Sequence, residues 1–109
     1  MEEEIYHYTV DFRDVKYYLE MHEVLKKSLD FPDYYGKNWD AFWDCLWELI
    51  GVKTHIEIYG LEVIERKFGT DTVEMMLSIF RQLKHYRNDK YADEILIEII
   101  DGNTRIEVK

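Results

Sequence analysis

Asp40, Trp43 and Asp44 have the most suggestive spacing in the chain, at i, i+3 and i+4 within the run Tyr34-Tyr35-Gly36-Lys37-Asn38-Trp39-Asp40-Ala41-Phe42-Trp43-Asp44-Cys45-Leu46-Trp47. On a helix these three are neighbours on one face. Trp39, Phe42 and Leu46 fall at i, i+3 and i+7 and form a separate apolar stripe suited to a core. The acidic face works against the helix that carries it. Two aspartates one turn apart repel by about 0.2–0.5 kcal/mol, and aspartate is a poor residue for helix interiors. No lysine or arginine lies between Lys37 and Lys53 to offset them. A surface built for stability alone would not look like this.

Three chemistries compete for the pair. Acid–base catalysis needs carboxyls whose pKa values are pushed apart by burial, which aspartates on an exposed helix face lack. A metal site needs further donors, and the four histidines are scattered at positions 7, 22, 55 and 85. Neither catalytic nor metal-ligating residues are therefore expected, and no cofactor is implied. A protein-binding surface fits better: acids suit a cationic cleft, with Trp43 and Tyr34 as anchors. Helical geometry leaves that reading open beside a plain solvated face.

Charge narrows the partners. The 109 residues carry 23 acids and 14 bases, a net charge of −9, which repels phosphate backbones and argues against direct nucleic-acid binding. Apolar runs such as Leu49-Ile50 and Ile99-Ile100 are far too short for a bilayer, so no membrane partner is expected. Cys45 is the one cysteine, so no intrachain disulfide can form, and packing is favoured over reactivity for its thiol. Met1-Glu2-Glu3-Glu4 is the reverse of a basic leader; the expectation is a cytoplasmic protein with a frayed acidic start.

The elements that must position these residues follow from periodicity. Ile5–Phe12 alternates as a strand, and Val15–Leu29 reads as a helix on Tyr18, Leu19, His22, Leu25 and Leu29. His22 and His85 read as partly exposed helix residues. Asp30–Lys37 is a loop holding the one proline, and Asn38 is a natural N-cap for a helix over residues 39–50 that Gly51 can end. His55–Tyr59 is a second strand and Leu61–Phe68 a short helix between glycines. Asp71 with Glu74 caps a long helix to about Arg87, striped by Val73, Met76, Leu77, Phe80 and Leu83. Glu94–Ile100 is the third strand. Asp101-Gly102-Asn103 signals a tight turn into a short antiparallel edge strand over residues 104–108. The order predicts one α/β domain spanning residues 1–109: a small three-stranded parallel sheet packed with about four helices, plus that edge strand.

The run PDYYGKNWDAFWDCL, preceded by MHEVLKKSL, closely resembles the barstar family of intracellular inhibitors of barnase-type ribonucleases. The likeness extends over about residues 5–100. It implies a non-catalytic inhibitor that occludes a basic ribonuclease one-to-one through the second helix and the loop before it. Carried over by resemblance, Asp44 enters the enzyme's phosphate pocket, Asp40 is the second key acid, and Tyr34 stacks on the catalytic histidine. Gly36, Asn38 and Trp43 flank them. Two departures stand at the edge: Gln82 replaces a glutamate of the long helix, and the family's late tryptophan aligns near Leu49, with Trp47 two residues earlier. They point to a cognate nuclease different from barnase. The alternative is a barstar-fold binding module repurposed for another basic protein.

Overall fold

The computed structural model describes residues 5–49, 53–91 and 95–109. The chain runs β1 (Tyr6–Asp11), α1 (Tyr18–Ser28), α2 (Trp39–Leu49), β2 (Thr54–Tyr59), α3 (Leu61–Phe68), α4 (Thr70–Tyr91), β3 (Ile95–Asp101) and β4 (Thr104–Glu107). The strands form one sheet in the order β1-β2-β3-β4. The first three are parallel, with Val10 beside Ile58 and Ile56 beside Ile97. β4 turns back antiparallel through Gly102 and Asn103 and pairs Arg105 with Ile100. The expected α/β architecture is thus observed, edge strand included.

Alternation along the strands sorts their side chains to two faces. Val10, Ile56, Ile58, Ile95 and Ile97 join Phe42 and Leu46 of α2, Ile64 of α3, and Val73, Met76, Phe80 and Leu83 of α4 in one buried cluster. The opposite face carries His7, His55, Glu57, Glu98 and Arg105, tied together by His–Glu hydrogen bonds and by the ion pairs of Arg105. Glu57 and Glu98 are register partners, and Arg105 bridges them at 2.7 and 2.9 Å.

Two expectations along this frame need correcting. The first helix begins at Tyr18, not Val15. Val15 is buried, but it lies in a turn closed by its N–H on the Phe12 carbonyl at 3.1 Å. The Glu20 carboxylate accepts from the Lys16 and Tyr17 amides at 2.6 and 3.2 Å, which fixes the helix start after them. The buried stripe is Met21, His22 and Leu25, continued by Leu29, an arc of about 100° at 100° per residue. Leu19 lies outside that arc and is 58% exposed. The long helix starts at Thr70, one residue before Asp71, and runs past Arg87 to Tyr91. Its expected stripe is buried throughout, and Ile79 joins it.

The junction between β2 and α3 depends on Gly60, whose φ of +78° is left-handed. A Cβ there would lie 2.6 Å from the Arg13 amide nitrogen and 2.9 Å from the Phe12 carbonyl carbon. Only glycine lets β2 end this close to the chain leaving β1. Among the described residues no helix is long and apolar enough to cross a membrane. The expected helix stop at Gly51, the start of the third strand at Glu94 and the acidic residues 2–4 lie outside the described residues.

Candidate functional site: an acidic helix face and its loop

The loop ahead of α2 is fastened from beneath. The Tyr35 amide donates to the Pro32 carbonyl at 3.0 Å, and the Tyr35 ring packs on Phe31 at 5.1 Å. Its hydroxyl lies 2.6 Å from His22 Nδ1 in α1. Tyr35 is buried, whereas Tyr34 beside it is 74% exposed: anchoring one ring presents the other to solvent. His22 is fully buried, not partly exposed as expected, and burial holds its imidazolium form down to a pKa of about 4. Burial likewise raises the pKa of the Tyr35 phenol. Lys37 adopts a left-handed φ of +55° and its ammonium pairs with Glu23, holding that carboxyl below the usual range. The cation nearest in sequence to the acidic helix is thereby engaged on α1.

Asn38 is the N-cap the sequence predicts. Its Oδ1 accepts from the Ala41 amide at 2.8 Å while its own carbonyl accepts from Phe42 at 2.9 Å. Its Nδ2 donates back to the Gly36 carbonyl at 3.3 Å. A Cβ on Gly36 would stand 3.2 Å from that Nδ2, so a small residue there leaves the cap its place.

On α2, Phe42, Cys45 and Leu46 are buried and fix the helix roll against α4. Cys45, expected to pack, is 4% exposed. Trp39, expected in the core, is only partly buried and packs on His22 and Phe42 at 4.7 and 5.6 Å. This roll leaves Asp40 and Asp44 exposed on the opposite side. Asp40 sits in the first turn, where the helix dipole favours negative charge. Among the described residues neither aspartate makes an ion pair.

Aromatic rings border the acids on one side. Trp43 stacks on Trp47 at 5.8 Å, and Trp47 meets Tyr86 of α4 edge-on at 4.6 Å. Gln82, exposed one turn before Tyr86, lies on that same part of α4. The structure thus presents Tyr34, Gly36, Asn38, Asp40, Trp43 and Asp44 from one loop-and-helix unit, and Trp47 and Tyr86 link it to the helix of Gln82. The residues that sequence reasoning passed over are His22 and Tyr35, which hold the loop. Their one signal was the helical phase of His22 with Leu25 and Leu29.

The fold is thus an α/β domain whose second helix presents an acidic face, unpaired among the described residues and bordered by aromatic rings. The family described as "Barstar (barnase inhibitor)" matches residues 5–98, and the chain belongs to that family. It is also 35% identical over 78 residues to a Bacillus subtilis (strain 168) protein named "Putative ribonuclease inhibitor YrdF", covering 69% of this chain and 86% of the relative.

Proposed function

We propose that this chain is a ribonuclease inhibitor that occludes the cationic active site of a barnase-type enzyme in a one-to-one complex, without catalysis of its own. The observation that carries the reading is the pair Asp40 and Asp44: exposed, unpaired among the described residues, and held on a capped helix whose other side is core. A ribonuclease concentrates positive charge to stabilise a transferring phosphate. Carboxylates on a rigid helix satisfy the same groups through charge-assisted hydrogen bonds and offer no bond to cleave. Preorganisation matters because side-chain and loop ordering would otherwise be charged against binding; the Asn38 cap and the Tyr35–His22 anchor have already ordered this surface. Tyr34 supplies ring area for stacking, and Trp43 and Trp47 form the dry border around the charged contact. Opposite charges also speed encounter, and that speed falls with salt.

Family membership and the named relative support inhibition of a ribonuclease. Gln82, neutral and exposed at the border, favours a cognate enzyme other than barnase itself. Titrating basic, barnase-type ribonucleases with the protein at low and moderate salt tests the proposal. The expected result is a stoichiometric end point, with association slowed by salt. Absence of inhibition across such nucleases, with retained binding to some other basic protein, would favour a repurposed module.

A further inference from the structure

The histidines that stand far apart in sequence are not all apart in space. The β1–β2 register sets His7 directly beside His55, with their rings stacked at 4.4 Å and 22°. Glu57, two residues after His55, projects from the same face of β2, as alternation requires. One ligand atom from each of His7, His55 and Glu57 lies within 4.8 Å of the other two. Among the described residues no other set of three histidine, cysteine, aspartate or glutamate side chains gathers this way. We infer that this cluster on the helix-free face of the sheet is a binding site for a zinc-class divalent cation.

The donor set is two imidazoles and a carboxylate, which suits zinc and its neighbours better than magnesium or calcium. His7 Nε2 and Glu57 Oε1 are 2.7 Å apart, with a proton between them. Bonds of about 2.0–2.2 Å to a tetrahedral zinc place donor atoms about 3.3–3.5 Å apart. That pair must open by about 0.6–0.8 Å to admit the ion. His7 is free to adjust, since its side chain is 54% exposed on the edge strand. Surrounding groups complete the site. Arg105 holds the second oxygen of Glu57 at 2.7 Å, orienting the carboxylate. Glu98 Oε1 lies 2.6 Å from His55 Nε2, a second carboxylate beside the same ring. Two carboxylates against one guanidinium leave the cluster a net negative charge with the imidazoles neutral. Solvent completes the coordination on the open face. The ion would cross-link β1, an edge strand, to the central β2. This inference does not depend on the proposed nuclease inhibition, because none of its residues lies on α2 or its loop.

The test is calorimetric titration of the chelator-treated full chain with Zn²⁺, alongside Co²⁺ for its visible absorption and Mg²⁺ as the hard-cation control. The expected result is one Zn²⁺ per chain, a melting temperature raised by several degrees, and tetrahedral Co²⁺ bands. His7→Ala and His55→Ala should each weaken Zn²⁺ binding at least tenfold while His85→Ala leaves it unchanged. Far-UV circular dichroism of each variant shows whether it folds, and His7→Ala, altering an exposed side chain, is the decisive one. Equal responses to Mg²⁺ and Zn²⁺, or Zn²⁺ affinity unchanged in folded His7→Ala, would overturn the site and leave an ion-pair network satisfied by Arg105.

Discussion

His22 Nδ1 lies 2.6 Å from the Tyr35 hydroxyl, joining α1 to the loop that carries Tyr34. His22 Nε2 is buried with no hydrogen-bond partner among the described residues. An imidazolium there would bring a second N–H and a charge into an apolar site, which is why the neutral ring is favoured.

The chain is therefore expected to lose stability on mild acidification. Folded His22 titrates near pH 4 against an ordinary value of 6.5. Between those values the unfolded chain binds a proton that the folded chain excludes. The His22 contribution is complete above about pH 6.5 and falls away as pH drops towards 4. By linkage the loss is about 2 kcal/mol at pH 5 and about 3 kcal/mol at pH 4. Urea unfolding of wild type and His22→Gln across this range checks it; parallel pH dependences would contradict it.

Asn38→Ala removes the acceptor for the Ala41 amide and should destabilise the fold by about 1 kcal/mol. The same change loosens the first turn of the acidic helix, so nuclease affinity should fall as well. Denaturant midpoints and binding constants of this variant give both numbers; an unchanged midpoint would argue against the cap.

Gly60→Ala should cost about 2–4 kcal/mol, combining a left-handed non-glycine residue with a contact on backbone atoms that no side-chain rotation relieves. Chemical denaturation reads this directly. A loss below about 0.5 kcal/mol would mean the β2–α3 junction relaxes freely.

Trp47 supports Trp43 on one side and meets Tyr86 on the other. Trp47→Ala should therefore weaken nuclease binding about tenfold or more, chiefly through faster dissociation. Surface plasmon resonance separates the rates, and an unchanged dissociation rate would place the α2–α4 border outside the contact.

Much of this architecture was legible because period and punctuation agree. The bounds of α3, between Gly60 and Gly69, follow from the sequence residue for residue, and β2 differs only by Thr54. The start of α1 was not legible, since Val15 is apolar and in phase yet packs from a turn. The burial of His22 was equally hidden: its hydrogen-bonding partner arrives from a loop thirteen residues later. The acidic face could be read from local spacing because it lies on one helix. The His7–His55 pairing could not, because strand register is decided by the packing of the whole sheet.

The central claim rests on Asp44, and the most direct measurement is the affinity of wild type and Asp44→Ala for a barnase-type ribonuclease at low and moderate salt. The barnase–barstar complex is itself the reference case for an aspartate hot spot, so the family sets the scale here. The account predicts tight wild-type binding and a loss of at least about 2 kcal/mol in the variant, roughly thirtyfold in Kd. A loss under about 1 kcal/mol, with wild type binding tightly, would contradict it, because the charge on α2 would then not be what the nuclease reads.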